Sequence, residues 1–320
     1  MKIRLITGAG YVAVLAIFYL LKIFVSDLCF DALIWLFSLI GTFEMLRAFG
    51  VFDNTKLLDK SNGAAQEEKA AAERRVCVTK AQAAGAFVFA AACIPACALF
   101  QQYFSSGVQA AAAVFFLYTA YLLILLVARH RETGIENTGM SFFAAVYPTL
   151  TLVLLCLTNH LTAAAELQKF AFDSNLAILF VFVISPFSDS LAYVFGRFLK
   201  KKFPKKMAPA VSPNKTVIGG IGGLVGGLVG AAILYFAYNA AAGSFHRAEL
   251  ILPIYLIIGV IAAAATEFGD LAESCIKRKA GMKDMGRLLP GHGGVLDRID
   301  GTLFATVAVY ASFVLFSAVI

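Results

Sequence analysis

The feature that most limits how this chain can fold is a series of long apolar segments. Nine of them run for about 20 residues, the length that an α-helix needs to cross a bilayer. Apolar residues make up 60% of the 320-residue chain and charged residues only 15%, which differs from soluble globular domains. The sequence therefore predicts an all-α, polytopic integral membrane protein with helices near 5–25, 29–49, 81–100, 108–129, 141–159, 176–197, 217–239, 250–270 and 302–320.

The positions of Lys and Arg predict how these helices are oriented, because cytoplasmic loops retain cationic residues. With the N-terminus in the cytoplasm, 24 of the 27 Lys and Arg residues lie on that side: two at the N-terminus, then seven, two, seven and six in the inner loops. Lys22, Lys169 and Arg247 remain outside. The net charge of +7 is therefore mainly a topology signal, with attraction to anionic lipid headgroups as a secondary effect.

The chain divides into N-terminal membrane helices, 1–170, and a C-terminal part, 171–320, which is predicted to be catalytic. A polar connector at 53–80 is rich in Ala, Glu and Lys, which favours a cytoplasmic helix. Two cationic loops, 198–216 and 274–300, belong to the C-terminal part; the first contains three prolines and is expected to be irregular. The six cysteines form no CxxC pair, so neither a disulfide nor a zinc site is implied.

A glycine-rich segment at 219–230 follows the first cationic loop. No Gly-Lys-Ser/Thr sequence follows it, so it does not fit a nucleotide-binding loop. Its spacing instead predicts a helix with two smooth faces that other helices can approach closely. The two rows are Gly219, Gly223 and Gly227, and Gly222, Gly226 and Gly230.

Charged residues inside the apolar segments are candidates for function, because each costs at least about 2.5 kcal/mol at mid-span. Asp189, Tyr193 and Arg197 are four residues apart, so a helix places them on one face. Pro186 is expected to interrupt that helix just before them. The alternative for Asp189 is a structural ion pair with Arg or Lys within the bundle.

The eighth apolar segment ends in a second ordered row of polar residues. At spacings of three and four, the row contains Glu267, Asp270, Ser274 and then Lys277 or Arg278. One helix face therefore runs from carboxylate to cation, which suits a metal-binding group at the membrane edge and a phosphate-binding group beyond it. Glu273 points away from this face, toward solvent or an ion pair.

The loop 274–300 concentrates six Lys or Arg, three Asp and a glycine-flanked histidine between two apolar segments. Oxygen ligands suit Mg²⁺, cations meet phosphoryl oxygens, and glycine lets backbone N–H groups approach phosphate. The loop therefore predicts a phosphoryl-transfer site at the bilayer surface. Asp297 and Asp300 could share a metal with Asp270, although Asp297 could equally cap the last helix. The sequence leaves three roles for His292: a general base, a hydrogen-bond donor to phosphate, or a turn residue.

At these residues the chain resembles the phosphatidate cytidylyltransferase, or CDP-diglyceride synthase, family. The family pattern S-x-x-K-R-x4-K-D-x-G-x3-P-x-H-G-G-x-x-D-R-x-D is matched at every fixed position from Ser274 to Asp300. The resemblance extends to DSLAYVFGR at 189–197, to SPNKT at 212–216 and to the Gly-Asp pair at 269–270. It covers the C-terminal part of the chain, whereas the N-terminal part matches only as a run of membrane spans.

The resemblance implies transfer of CMP from CTP to phosphatidic acid, giving CDP-diacylglycerol and pyrophosphate. It implies a Mg²⁺-dependent homodimer in the inner membrane, with the active site facing the cytoplasm. No nucleic-acid partner is expected, and the resemblance leaves open whether a second metal ion binds. The metal ligands it assigns are Asp270 and Asp297, with Asp300 or Asp189 assisting. The residues expected on the phosphates are Lys215, Lys277, Arg278, Lys283 and Arg298, and those lining the nucleotide site are Ser212, Asn214, Thr216, His292, Gly293 and Gly294.

Two other functions fit parts of the sequence. An ion-coupled transporter would bind ions at Asp189, Glu267 and Asp270, but the halves show no inverted repeat and the ionisable residues collect at one membrane face. A CDP-alcohol phosphatidyltransferase shares the lipid, Mg²⁺ and CDP chemistry. Its DGxxAR motif and the GxxxDxxxD run that follows are both missing from the sequence.

Overall fold

The protein forms a bundle of long helices, seen in a computed structural model that describes residues 2–50, 78–161, 173–242 and 248–319. Within these ranges nine helices are long and apolar enough to cross a membrane, which confirms the polytopic all-α fold. The helices are α1 (Lys2–Phe24), α2 (Asp27–Ala48), α3 (Lys80–Phe104), α4 (Gly107–Ala128), α5 (Ile135–Asn159), α6 (Ser174–Leu199), α7 (Val217–Ala242), α8 (Ala248–Lys279) and α9 (Leu296–Val319).

Several helices extend beyond the apolar segments that predicted them. Helix α8 continues past Asp270 to Lys279, α9 begins at Leu296, and α5 begins at Ile135. Hydropathy marks the part of a helix that suits lipid, whereas polar residues such as Glu, Lys and Arg are also good helix formers and continue the helix beyond it. The predicted interruption at Pro186 is wrong, because α6 runs through this residue from Ser174 to Leu199.

The first cationic loop contains a small β-hairpin where the sequence indicated irregular structure. Strands β1 (Lys206–Ala208) and β2 (Ser212–Thr216) pair antiparallel, with Lys206 opposite Thr216 and Ala208 opposite Ser212. A two-stranded sheet has only edge strands, which tolerate proline, so Pro213 does not prevent pairing within β2. The hairpin leads directly into α7.

Helix α7 packs closely between α6 and α8, as its two rows of glycines predicted. A Cβ atom at Gly226 would overlap the backbone of Phe187 in α6, and one at Gly227 would overlap the backbone of Gly259 in α8. Because backbones approach this closely only where side chains are absent, larger residues at these positions would separate the helices. The close packing holds the hairpin beside the ends of α6 and α8.

The bundle has two ends with different composition. Helices α2, α6 and α8 finish, and α7 and α9 begin, at one end, which we call the charged end. Helices α2 and α6 begin, and α5 finishes, at the other end, which we call the distal end. The predicted connector at 53–80, apart from 78–80, and the predicted boundary at 170–171 lie outside the described residues.

Candidate functional site

A cleft of about 680 Å³ opens at the charged end between α6, the hairpin, α7 and α8. Its size is within the range of small-molecule binding sites, and we call it the carboxylate cleft. The predicted stripe on α6 lines one wall, and the predicted row on α8 supplies the acids of the facing wall. Its polar lining residues include Asp189, Arg197, Lys200, Lys206, Asn214, Lys215, Thr216, Glu267 and Asp270.

Lys215, at the end of the hairpin, lies between two acids of α8. Its Nζ atom is 2.9 Å from Asp270 Oδ2 and 3.2 Å from Glu267 Oε2. Burial lowers the pKa of Lys215, but the two neighbouring carboxylates raise it by more, so the net pKa lies above its usual value. Lys215 therefore remains a cation at neutral pH, with its ammonium group at the cleft wall.

Acidic side chains gather around this lysine. Glu267, Asp270 and Asp300 lie close enough to Asp189 for their charges to act on it. Asp300 Oδ1 accepts a hydrogen bond from Gly301 N at 2.8 Å, whereas Asp189 forms no salt bridge with any residue that the structure describes. Four acids beside one lysine supply the oxygen ligands that a divalent cation binds.

The α8–α9 loop forms a second cleft of about 760 Å³, which we call the loop cleft. The predicted residues Lys283, His292, Gly293 and Arg298 line this cleft and not the carboxylate cleft. The sequence treated the candidate residues as one site. The structure distributes them over two clefts at the same end of the bundle.

Asp297 lies in neither cleft lining, because its carboxylate binds the loop itself. Its Oδ1 atom accepts a hydrogen bond from Lys277 Nζ at 2.8 Å. Its Oδ2 atom accepts hydrogen bonds from the backbone N–H groups of Met285 and Gly294, both at 2.8 Å. With its side chain only 4% exposed, Asp297 joins the two ends of the loop 285–294 to the end of α8.

Glu44 of α2 is a further important residue at this site, and sequence reasoning assigned it no role. Its two carboxylate oxygens accept hydrogen bonds from Val295 N at 2.9 Å and Leu296 N at 2.8 Å, so it caps the start of α9. Gly286 and Gly294 lie so close that a Cβ atom on either would overlap its carboxylate. The charge of Glu44 within an apolar segment marked it as a candidate functional residue. Its partners could not be predicted, because sequence spacing does not relate α2 to a loop so distant in the sequence.

The turn around His292 contacts the first helix. His292 N donates to Leu289 O at 2.9 Å, and Gly291 and Gly293 have φ values of 75° and 87°, which favour glycine. Thr7 Oγ1 of α1 donates to Pro290 O at 3.1 Å. His292 Nδ1 is buried and has no hydrogen-bond partner within the described part of the chain.

The remaining candidates have other environments. Glu273 is buried and lies 3.5 Å from Lys277 Nζ, so it forms an ion pair and does not face solvent. Thr216 Oγ1 accepts a hydrogen bond from Gly219 N at 3.1 Å and caps α7. Ser212 pairs within the hairpin, and Arg278 is exposed outside both cleft linings.

A multi-span helical protein with a carboxylate and lysine cleft beside a cation-rich loop has the features of an enzyme that handles phosphate groups at a membrane surface. A profile of the Cytidylyltransferase family matches residues 65–316. The chain belongs to this family.

Three relatives are each named phosphatidate cytidylyltransferase. The protein of Haemophilus influenzae is 42% identical over 201 residues, which are 62% of this chain and 65% of the relative. That of Staphylococcus saprophyticus is 42% identical over 127 residues, 40% of this chain and 45% of the relative. That of Brucella abortus is 42% identical over 133 residues, 42% of this chain and 45% of the relative. The chain thus matches less than half the length of the last two.

Proposed function

We propose that the protein is a phosphatidate cytidylyltransferase of phospholipid biosynthesis. In this reaction a phosphate oxygen of phosphatidic acid attacks the α-phosphorus of CTP, and a new P–O bond forms. The bond from the α-phosphorus to the oxygen that bridges to the β-phosphorus breaks, and pyrophosphate leaves. The observation that carries the proposal is Lys215, held between Asp270 and Glu267 at the wall of the carboxylate cleft.

The chemistry requires little more than alignment and charge neutralisation. The phosphate monoester of the lipid is already largely ionised at neutral pH, so no strong base is needed to make it a nucleophile. Lys215 supplies a fixed positive charge to phosphoryl oxygens, and Arg197, Lys200 and Lys206 attract anionic substrates at the cleft rim. Lys283 and Arg298 in the loop cleft hold the remaining phosphates of the nucleotide.

We propose Mg²⁺ as the cofactor, with Asp270 and Asp189 as its protein ligands and Asp300 close to both. Mg²⁺ commonly takes one or two carboxylates together with water and substrate phosphates. The cleft offers the carboxylates of Asp189 and Asp270 in its lining, beside open space for substrate phosphates. When bound, the ion neutralises charge that develops on the phosphoryl oxygens. Asp297 acts by holding the loop, since both its oxygens already accept hydrogen bonds.

The proposal includes a location and an orientation. The charged end faces the cytoplasm at the inner membrane, as the distribution of Lys and Arg predicts. Exposed apolar side chains, Tyr193 and Phe198, lie on the helix that lines the cleft, so lipid chains can stay in the bilayer while the headgroup enters. The homodimer implied by the family resemblance remains a prediction, which the mass of the detergent-solubilised protein tests.

The decisive experiment uses the full chain purified in detergent. We expect CTP labelled at its α-phosphate to give lipid-soluble label when phosphatidic acid and Mg²⁺ are both present, and none when EDTA removes the metal. Asp270→Asn should abolish incorporation. Glu136→Gln, which changes an exposed acid in the first turn of α5, should react as the wild type does.

Other outcomes would identify a different function. Absence of labelled lipid from wild-type protein with accessible phosphatidic acid would contradict the synthase. Flux of an ion or solute across sealed vesicles without new lipid would indicate a transporter. Transfer of the phosphatidyl group from CDP-diacylglycerol to an alcohol, with release of CMP, would indicate a phosphatidyltransferase.

A further inference from the structure

A second cluster of chemically reactive side chains lies at the distal end. Asp31 of α2, Cys156 of α5 and His160, just after α5, each offer one ligand atom, and these atoms lie within 4.8 Å of one another. It is the only group of this kind in the described part of the chain. Along α2, Asp31 and Glu44 are about 20 Å apart at 1.5 Å per residue, so the cluster is separate from the two clefts.

The three side chains are buried and held in position. The side chains of Asp31 and His160 are each 5% exposed, and Cys156 is fully buried. Asp31 Oδ2 lies 2.7 Å from His160 Nε2, while Asp31 Oδ1 accepts a hydrogen bond from Asn159 Nδ2 at 2.9 Å. Hydrogen bonds of this kind orient carboxylate ligands around metals in proteins.

A nearby lysine does not neutralise Asp31. Lys22 Nζ instead lies 2.6 Å from Asp27 Oδ1 and donates to Ser174 Oγ at 3.0 Å. Within the described part of the chain, the carboxylate of Asp31 thus faces the imidazole of His160, the amide of Asn159 and the thiol of Cys156. A simple Asp–His ion pair accounts for two of these groups and does not explain why a thiol lies beside both.

We propose that Asp31, Cys156 and His160 form a zinc-binding site. Zinc binds thiolate sulfur, imidazole nitrogen and carboxylate oxygen at about 2.0–2.3 Å, so the side chains need to move only slightly to surround an ion. On binding, the S–H bond of Cys156 breaks, its proton leaves to solvent and a Zn–S bond forms. Mg²⁺, which prefers oxygen ligands, does not suit the thiol.

The charges of the three side chains also match a zinc ion. One carboxylate and one thiolate balance the two positive charges of Zn²⁺, while His160 binds as the neutral imidazole. The resulting complex has no net charge, which avoids the cost of an isolated charge in a buried site. The sulfur of Cys97 on α3 also lies beside Cys156, but a second thiolate would give the complex a negative charge, so water fills the fourth position. The ion would join α2 to α5 at the distal end.

The test measures zinc retained by the full chain in detergent. Protein is incubated with zinc and an excess of Mg²⁺, which occupies oxygen-only sites, then desalted and analysed by mass spectrometry for metals. We expect about one zinc per chain for the wild type, and loss of that zinc in Cys156→Ser and Asp31→Asn. Cys93→Ser changes a buried thiol of α3 outside the group and should keep the metal.

A second measurement detects a bound thiolate in the wild type itself, so its main result does not depend on how well the variants fold. Cobalt replaces zinc in such sites, and a bound thiolate gives it a charge-transfer absorption band. We expect this band in the wild type and in Cys93→Ser, and not in Cys156→Ser. Wild-type protein that retains no zinc, a cobalt complex without the thiolate band, or undiminished zinc in Cys156→Ser would each overturn the proposal. None of these measurements depends on CTP or lipid, so they are independent of the proposed reaction.

Discussion

The carboxylate cleft and the α8–α9 loop each contain an aspartate that the family resemblance assigns to the metal, but the two side chains have opposite surroundings. Asp270 is 23% exposed at its side chain, has Lys215 as a partner and faces an open cleft. Asp297 is 4% exposed and accepts three hydrogen bonds from the loop and α8. An aspartate with oxygen lone pairs open to a cleft can bind a ligand. An aspartate whose oxygens already accept hydrogen bonds from the protein instead holds a loop in place.

The largest effect is expected for Asp270→Asn. Loss of the charge removes a proposed metal ligand and one partner of Lys215, so the rate should fall by about 10³-fold or more, as for other groups that stabilise a transition state by charge. The apparent requirement for Mg²⁺ should rise. Rates measured across a Mg²⁺ series check this, with the thermal unfolding temperature as the control for folding. Unchanged turnover would remove Asp270 from the reaction.

Lys215→Met should be the next most severe change, with a loss of roughly 10²-fold. The pKa of Lys215 is raised by Asp270 and Glu267, so its charge is present at all pH values below its ordinary pKa of about 10.4. The charge is lost only as the pH rises through the higher, folded-state pKa. A rate profile from pH 6 to 9 should therefore show no decline due to this lysine. A decline in that range that Lys215→Arg abolishes would contradict this reasoning.

Asp297→Asn tests whether the two aspartates differ in role. The change weakens the pairing with Lys277 and the hydrogen bonds to Met285 and Gly294, so we expect a free energy of unfolding lower by about 2–4 kcal/mol. Activity should fall by on the order of 10²-fold through disorder of the loop. The Mg²⁺ requirement should stay unchanged. An increase in that requirement as large as that of Asp270→Asn would show that Asp297 binds the metal.

Features that depend on neighbours along one helix could be predicted from the sequence. The apolar segments predicted the spanning helices, and the four-residue spacing placed Asp189, Tyr193 and Arg197 along one cleft wall. The glycine rows of α7 were predicted for the same reason, because helical spacing determines which residues share a face. In each case the residues that carry the prediction lie within a few turns of one helix.

Features that join distant segments could not be predicted in this way. Glu44 and Val295 meet only because α2 and α9 pack at the same end. Part of the proposed zinc site is visible in the sequence, because Cys156 and His160 are four residues apart. The third ligand, Asp31, comes from another helix and could not be predicted. A search for CxxC spacing cannot find a group whose members come from different helices. The division of the candidate residues between two clefts is equally a consequence of packing.

Glu44→Gln should have the smallest effect. It tests whether a second acid that holds the α8–α9 loop, from α2, behaves as Asp297 does. The amide leaves one backbone N–H of Val295 or Leu296 without an acceptor, so the free energy of unfolding should fall by about 1–3 kcal/mol. Activity should fall about tenfold, because the loop is positioned less well.

Asp173→Asn is the matched control for this change, because Asp173 also caps a helix, accepting from Leu176 N at 2.8 Å at the distal end. It should reduce the free energy of unfolding, as any lost helix cap does, without a selective loss of activity. Turnover corrected for the folded fraction separates the two variants. Equal activity in both, at equal stability, would mean that Glu44 stabilises the bundle but does not position the loop for the reaction.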